Sequence, residues 1–439
     1  MKKIFFSTLI FCPIILYGQN VWTLDKCIEY AQERNITIKQ SELQQKSSQL
    51  DLQTARLSFL PDLNLGVGQD FAFGRATGSD NVIVSQSLAS SSLSVYSSIP
   101  LFTGLRLVNQ IQSNKLGLRA AIAELDKAKE NLTLNIASFY LQILLNKELL
   151  AIAQEQLALS SEQVERSQQL FAAGRQSEAA LYEARAQLAD DEQKQVVANN
   201  NLQLSLLSLC QLINYTELES FDIAQANIEL ANGLSLLSSP EDAYRFSLEH
   251  RPSIVVSRLL LEKSRKEEKI AQSAFYPQLS LSGGYSTGYY YMFNTVVNQP
   301  FSKQLLDNGG ESVRLSLSVP IFNRLGDVNS VKKAKISSHL QELSLENAKQ
   351  ELYRDIQTAY YNALAALERY RAAVKATAAA QLAFDFEQKR YESGKSTALE
   401  YSTAKIRLER TKGDEAQAKF EYIFRTKILD FYNGKPIEI

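Results

Sequence analysis

Histidine, cysteine and carboxylate side chains carry most of the proton transfer, nucleophilic attack and metal ligation in proteins, and this sequence spreads them thinly. Its two histidines are His250 and His339. Neither stands in a ligand spacing such as H-E-x-x-H, and each lies among charged residues of a helix-like stretch, as a solvated surface group does. The acidic run Asp190-Asp191-Glu192 and the basic stretch from Lys263 to Lys269 have the pattern of wet helix faces rather than of a binding site. No glycine-rich phosphate loop and no G-x-S-x-G elbow is present. Cys27 and Cys210 fall inside helix-like stretches as small packing residues, too few for a disulfide framework. These residues assemble into no catalytic group, metal site or cofactor cradle, so the chain is not expected to be an enzyme or to carry a cofactor. A formal net charge of −1 and a pI near 6.3 offer no attraction to a phosphate backbone, and nucleic acid is not an expected partner.

If the chain does no chemistry, its elements must say what it does. It opens on Lys2 and Lys3, runs apolar from Ile4 to Leu16 and reaches Tyr17-Gly18-Gln19, so residues 1–19 read as a signal peptide removed on export. That apolar core is shorter than the roughly 20 residues of a spanning helix. Phe11 precedes Cys12, where lipid attachment requires a small residue. No later stretch reaches about 18 uninterrupted apolar residues. An exported chain of this kind is periplasmic, extracellular, or set in the outer membrane as strands.

The sequence is written twice. Thr23–Asn35 lies over Ser239–Arg251, Phe59-Leu60-Pro61-Asp62-Leu63 over Phe275-Tyr276-Pro277-Gln278-Leu279, and Pro100-Leu101-Phe102 over Pro320-Ile321-Phe322. Gly174-Arg175 then lies over Gly394-Lys395. The offset lengthens slightly between Leu65 and Ser98, inside an expected hairpin loop where added length is tolerated. This gives residues 20–220 as repeat 1, 221–238 as a linker, 239–432 as repeat 2 and 433–439 as a tail.

Within each repeat a helix from Thr23 to Leu60, or from Ser239 to Tyr276, precedes the strands. A much longer helix comes after them. From Leu118 to Val164 apolar residues recur at alternating steps of four and three, a coiled-coil seam interrupted by Lys129, Asn146 and Ser160. Glycine turns at Gly174 and Gly394 end the long helices, and return helices run from Ser177 to Asn214 and from Thr397 to Tyr432, each opened by a capping hydroxyl.

Between the helices the period changes to two. Leu63, Leu65, Val67, Phe71 and Phe73 form one apolar phase; Leu93, Val95, Ile99 and Leu101 a second; Leu279, Leu281, Tyr285, Tyr289 and Tyr291 a third; and Val313, Leu315, Leu317, Val319 and Ile321 a fourth. Their polar partners are mostly serine, glycine and asparagine, suited to a wet lumen, and each run is close to the roughly 9 to 11 residues of a tilted transmembrane strand. These runs predict hairpins of about 61–102 and about 277–322, with loops from Gly74 to Ser90 and from Met292 to Glu311. Pro61, Pro100, Pro277 and Pro320 mark the helix–strand junctions. Leu65, Leu281, Leu317 and Val319 are expected to face lipid, and Ser280 and Ser316 the lumen. Four strands cannot close in lipid, because an open edge leaves backbone groups unpaired, so the chain must share a barrel with other copies.

This doubled unit, with its Phe-Leu-Pro-Asp-Leu and Phe-Tyr-Pro-Gln-Leu entries at 59–63 and 275–279, its Pro-Leu-Phe and Pro-Ile-Phe exits at 100–102 and 320–322, and its two glycine turns, resembles the TolC outer-membrane factor family from Thr23 to Tyr432. The resemblance implies a mixed α and β membrane protein of the outer membrane: a homotrimer with a twelve-stranded barrel, a twelve-helix periplasmic tunnel, and an equatorial belt from the linker and tail. It implies an exit duct of a tripartite efflux or type I secretion system, partnered by outer-membrane lipid, a periplasmic adaptor and an inner-membrane pump of the RND or ABC type. It also implies adaptor docking at Gly174, Arg175, Gly394 and Lys395, and an acidic periplasmic gate at Glu400, with Thr403 at the other acidic position of the family pattern. Lys395 and Lys405 are the nearby basic residues expected to balance Glu400. The alternative is a secreted or periplasmic coiled-coil scaffold without a pore, which accounts for the long helices but not for the serine-lined strands.

Overall fold

The structure, a computed structural model, describes residues 21–77, 81–224, 239–293 and 297–437. The expected signal peptide, Cys12 and most of the linker lie outside the described residues. The chain forms two compact units, one from residues up to Ser41, Leu125–Arg251 and from Lys349 onward, the other from Glu42–Glu124 and Pro252–Ala348.

The first unit is helical. Its elements are β1 (Val21–Trp22), α1 (Leu24–Arg34) and the first turns of α2 (Ile36–Leu57); the later part of α3 (Arg106–Ala172) and α4 (Glu178–Ile213); then β4 (Asp222–Ile223), α5 (Pro240–His250), the later part of α8 (Gly326–Glu392) and α9 (Ala398–Tyr432). Here the periodic apolar residues become a core: Leu132, Ile136 and Ile143 pack with Cys27, Leu209, Ile213, Phe221 and Ile223, each buried aliphatic contributing about 1.5–3 kcal/mol. By length and composition α3 holds a stretch that would qualify as a membrane span; in this unit its residues Ile136, Tyr140 and Ile143 are buried against protein instead. The Tyr140 hydroxyl bonds Trp22 O and Ala224 O at 3.3 and 3.1 Å, holding the parallel β1–β4 pair on the core.

Each expected first helix is in fact two, a correction with a specific cause in each repeat. At Asn35 the backbone is extended, and the side chain accepts from Thr37 N at 2.8 Å, capping α2, while its amide donates to Leu212 O at 2.9 Å. At the matching Arg251 the next residue, Pro252, opens α6 (Pro252–Gln272) and drives its predecessor into extended backbone. Arg251 is also a residue the sequence did not flag. It pairs with Glu130 at 2.8 Å and stacks 3.6 Å over the ring of Phe431.

The second unit contains the sheet. β2 (Asn64–Thr77), β3 (Ile83–Thr103), β5 (Gln278–Met292) and β6 (Gly310–Ser318) are antiparallel in the order β2-β3-β5-β6. Three expectations are corrected here. The first hairpin loop is much shorter than Gly74 to Ser90, because paired strand reaches Thr77 and resumes at Ile83. The second, expected as loop from Met292 to Glu311, holds a short helix, α7 (Phe301–Asp307). Pro100 is not a strand end: β3 continues to Thr103 through a register shift between Pro100 and Phe102. With no N–H to give the ladder, Pro100 is matched to a bulge in which Leu101 is the extra residue. Phe102, not Leu101, therefore pairs with Leu279 on the apolar face. Pro61 precedes β2, Pro277 precedes β5 and Pro320 lies between β6 and α8.

Candidate functional site: a two-faced sheet and two helical tips

Residues directly opposite across an antiparallel ladder share a face. One row runs Leu65–Val95–Tyr285 and another Val67–Leu93–Thr287, while Ile99, Leu281 and Leu315 form a third. Between them run Gly66–Ser94–Ser286, Gly68–Ser92–Gly288 and Pro100–Ser280–Ser316. The sheet thus has one greasy face and one of serine and glycine. The greasy face is open: Leu65 on β2 is 67% exposed, and Val313 and Leu317 on β6 are 82% and 64% exposed, so large apolar side chains lie bare on both edge strands. At the loop end, aromatic rings gather. Tyr289 meets Phe301 edge-on at 5.0 Å, Tyr291 meets Phe293 at 5.2 Å, and Phe73 stacks with Phe293 at 6.4 Å, the composition of an interfacial girdle. β2 and β6 each have one partner strand, leaving two open edges.

At the far ends of the helical hairpins the two repeats build the same turn. Gly174 and Gly394 adopt φ of +67° and +70°, left-handed values that favour glycine. Arg175 N donates to Leu170 O at 2.9 Å and Gly174 N to Phe171 O at 2.9 Å; Lys395 N donates to Arg390 O at 2.8 Å and Gly394 N to Tyr391 O at 3.0 Å. Both are Schellman closures. Ser177 and Thr397 then cap the return helices. Arg175 and Lys395 are exposed beside their glycines.

The tips place their first-turn carboxylate differently, at Glu178 in the first repeat and at Glu400 in the second. Glu400 completes a capping box with Thr397, its carboxylate accepting from Thr397 N at 2.9 Å and from the hydroxyls of Thr397 and Ser396 at 3.0 Å. The backbone bond from Thr397, then the hydroxyls of Ser396 and Thr397, hold this exposed carboxyl below its ordinary range. In the first repeat the same position is Ala180.

Lys405 does not balance Glu400, a correction to the expectation. It turns inward, 3% exposed, and its ammonium lies 2.7 Å from Asp191 and donates to Gln156 O at 3.0 Å and to the Ser160 hydroxyl. Ser160 donates in turn to Asp191, which also accepts from Gln187 at 2.9 Å. Asp191, 1% exposed, is thus no wet helix face. Burial alone would raise its pKa. The bonds from Lys405 and Ser160 and the charge on Lys405 outweigh that and hold it below the usual carboxylate range. Burial pushes Cys27 up to about 12 and Cys210 up to about 11, so both thiols are inert packing groups.

Comparison with known proteins places this geometry in a class. The chain belongs to the outer membrane efflux protein family, whose sequence profile matches residues 27–215 and 243–424. It is similar to the outer membrane protein TolC of Escherichia coli K12, 25% identical over 401 residues that cover 90% of this chain and 79% of TolC. The TolC of Salmonella enteritidis is 24% identical over 415 residues, covering 92% and 81%. Among solved structures, the outer membrane protein VceC of Vibrio cholerae superposes with a TM-score of 0.78 at 18% identity, covering 94% of this chain and 97% of VceC. The CmeC outer membrane channel of Campylobacter jejuni gives 0.80 at 16%, covering 94% and 86%. The fold is therefore TolC-like, and the chain is an outer-membrane protein.

Proposed function

We propose that this protein is the exit duct of a tripartite export system, a homotrimer whose pooled strands close a pore and whose helical hairpins form a periplasmic tunnel. One observation carries the reading: a four-stranded sheet with an open, mainly apolar face, a face mainly of serine and glycine and, among the described residues, two unpaired edges. Such a sheet is stable in lipid only when other copies complete it. A pore-free scaffold leaves that face and those edges without a role. No step of transport requires catalysis by this chain, because the pump supplies the energy and the duct conducts.

The finer assignments come from the tips. Arg175 and Lys395 present cationic corners at the hairpin ends, and a groove of about 440 Å³ beside them is lined by Ala180, Ala184, Leu399 and Tyr401. The groove lies on the return helices beyond the two cations and also takes in Glu183, Asp190 and Lys405; exposed cations at the ends and a mixed groove behind them suit docking of a periplasmic adaptor, itself coupled to an RND or ABC-type pump. Glu400 supplies an acidic ring when three copies converge, and like charges at a constriction favour cations. Of the linker and tail, residues 221–224 and 433–437 are assigned to the equatorial belt, and the rest lie outside the described residues.

The test is reconstitution. Detergent-extracted protein should migrate as a heat-modifiable trimer and conduct in planar bilayers. A monomer in outer-membrane extracts that gives no conductance would overturn the proposal.

A further inference from the structure

The strands of the sheet are unequal, and something stands in for the missing length. β6 has 9 residues and β5 has 15, and their pairing stops at Ser286 and Gly310. Beyond Ser286 the edge of β5 is satisfied by side-chain amides from the segment between the two strands. Tyr290 N donates to Gln304 Oε1 at 2.9 Å and Gln304 Nε2 donates back to Tyr290 O at 3.0 Å. Met292 exchanges the same pair of bonds with Asn298, at 2.8 and 3.0 Å. Asn308 donates to Gly288 O at 2.7 Å, and the Thr287 hydroxyl donates to Leu305 O at 2.7 Å. Gln304 and Asn298 each supply the donor and acceptor that a neighbouring strand residue would, and Asn308 supplies a donor, so α7 lies in the plane into which β6 would have continued.

The opposite edge of the sheet has the complementary excess. β2 has 14 residues, all paired with β3, so in a barrel closed by copies of this chain the 9-residue β6 cannot cover it. The outward end of β2, including Arg75 and Thr77, is left without a strand across the seam. Meanwhile the face of α7 directed away from Gln304 carries Ser302 and Leu306, with Lys303 alongside, and Leu306 is 81% exposed.

We infer that α7 is the seam-filling element between protomers: its Ser302–Leu306 face packs on the outward end of β2 of a second copy, where strand pairing between copies has run out. The inference rests on the trimeric barrel proposed above. It makes α7 part of the barrel wall rather than a free surface loop.

The experiment uses paired cysteines in the full-length protein in outer membranes, with a short bis-maleimide as cross-linker. The seam pairs are Leu306→Cys with Arg75→Cys and Leu306→Cys with Thr77→Cys. The control pairs are Leu315→Cys with Val67→Cys and with Gln69→Cys, which report β6 meeting β2 of the next copy. Single-cysteine variants report background from the buried native thiols, and heat-modifiable migration reports assembly. The expected result is a ladder of two- and three-chain species from a seam pair and from a control pair, and none from single variants. Linked controls with unlinked seam pairs, or Leu306→Cys freely labelled in cells by a membrane-impermeant maleimide, would overturn the seam assignment and leave the trimer standing. If no pair links, the shared barrel falls and the seam with it.

Discussion

The ammonium of Lys405 and the carboxylate of Asp191 meet at 2.7 Å between hairpins of different repeats, and both side chains are withdrawn from solvent. The pair has no duplicate. Gly174 aligned on Gly394 places Thr411 opposite Asp191 and Arg185 opposite Lys405. This ion pair is therefore a join between the two hairpins that the tandem sequence specifies once.

Removing Asp191 strips the buried Lys405 ammonium of its carboxylate, and removing Lys405 leaves buried Asp191 with only the half-exposed Lys194 ammonium at 3.6 Å. Asp191→Leu and Lys405→Met should each cost about 3–5 kcal/mol, while the double variant should lie close to wild type. Denaturant unfolding of the four proteins checks this, and additive single effects would show that the two groups are not coupled.

The same join sets an acid limit. The folded pKa of Asp191 lies below its unfolded value of about 3.9, so its contribution is complete above about pH 4 and is lost as pH falls through the folded value. Unfolding midpoints of wild type and Asp191→Asn should converge as the pH is lowered below that range. A constant difference down to the lowest pH would exclude Asp191 as the titrating group.

At the tips, Arg175→Glu with Lys395→Glu should leave trimers intact and weaken adaptor cross-linking and export. Gly174→Ala and Gly394→Ala meet open space but a left-handed backbone that strains an alanine, and each should cost about 1–2 kcal/mol. Normal export by the double charge reversal would separate docking from these side chains.

Glu400→Ala should reduce cation preference and divalent-ion block in planar bilayers. Because hydrogen bonds from Thr397 and Ser396 favour the ionised form, the wild-type preference should persist through the ordinary carboxylate range and disappear only at lower pH. Unchanged selectivity in an assembled variant would leave Glu400 with its capping role alone.

On the sheet, arginine at Leu65, Leu281 or Leu317 should cost roughly 2 to 4 kcal/mol near the bilayer midplane, whereas arginine at Ser280 or Ser316 should assemble normally. An arginine scan read by heat-modifiable migration decides it. Equal tolerance on both faces would remove lipid from the apolar side.

The elements legible in the sequence are those that a local signal encodes. The return helices start after Ser177 and Thr397 and end beside Asn214 and Tyr432 as expected, because caps and glycine turns act within a few residues. β3 was underestimated because Ser85, Ser87 and Ser90 to Ser92 carry no alternating hydrophobicity; they are strand because β2 and β5 pair with them. The break at Arg251 had a visible cause in Pro252, whereas that at Asn35 had only a capping asparagine, whose amide is then held by a carbonyl from α4 far away in sequence. The Asp191–Lys405 join brings together α3, α4 and α9, and its trace in the sequence was Ser160 interrupting an apolar seam. α7 is held by amides whose partners lie on a strand edge that exists only after the sheet forms.

The two glycine turns share one backbone geometry but lead into helix starts that place their carboxylate differently, at Glu178 in one and at Glu400 in the other, and three-fold rotation would multiply that difference. In the proposed trimer, three copies of a doubled chain would present six hairpin ends. Ala180 stands beside one kind of corner and Glu400 beside the other, while Glu178 supplies the first corner's carboxylate at the opening residue of its helix, so the placement of the carboxylate around the rim would alternate and only three corners would be chemically equivalent. An adaptor assembled as six identical subunits would meet two kinds of corner in strict alternation, and its subunits would bind in two inequivalent ways.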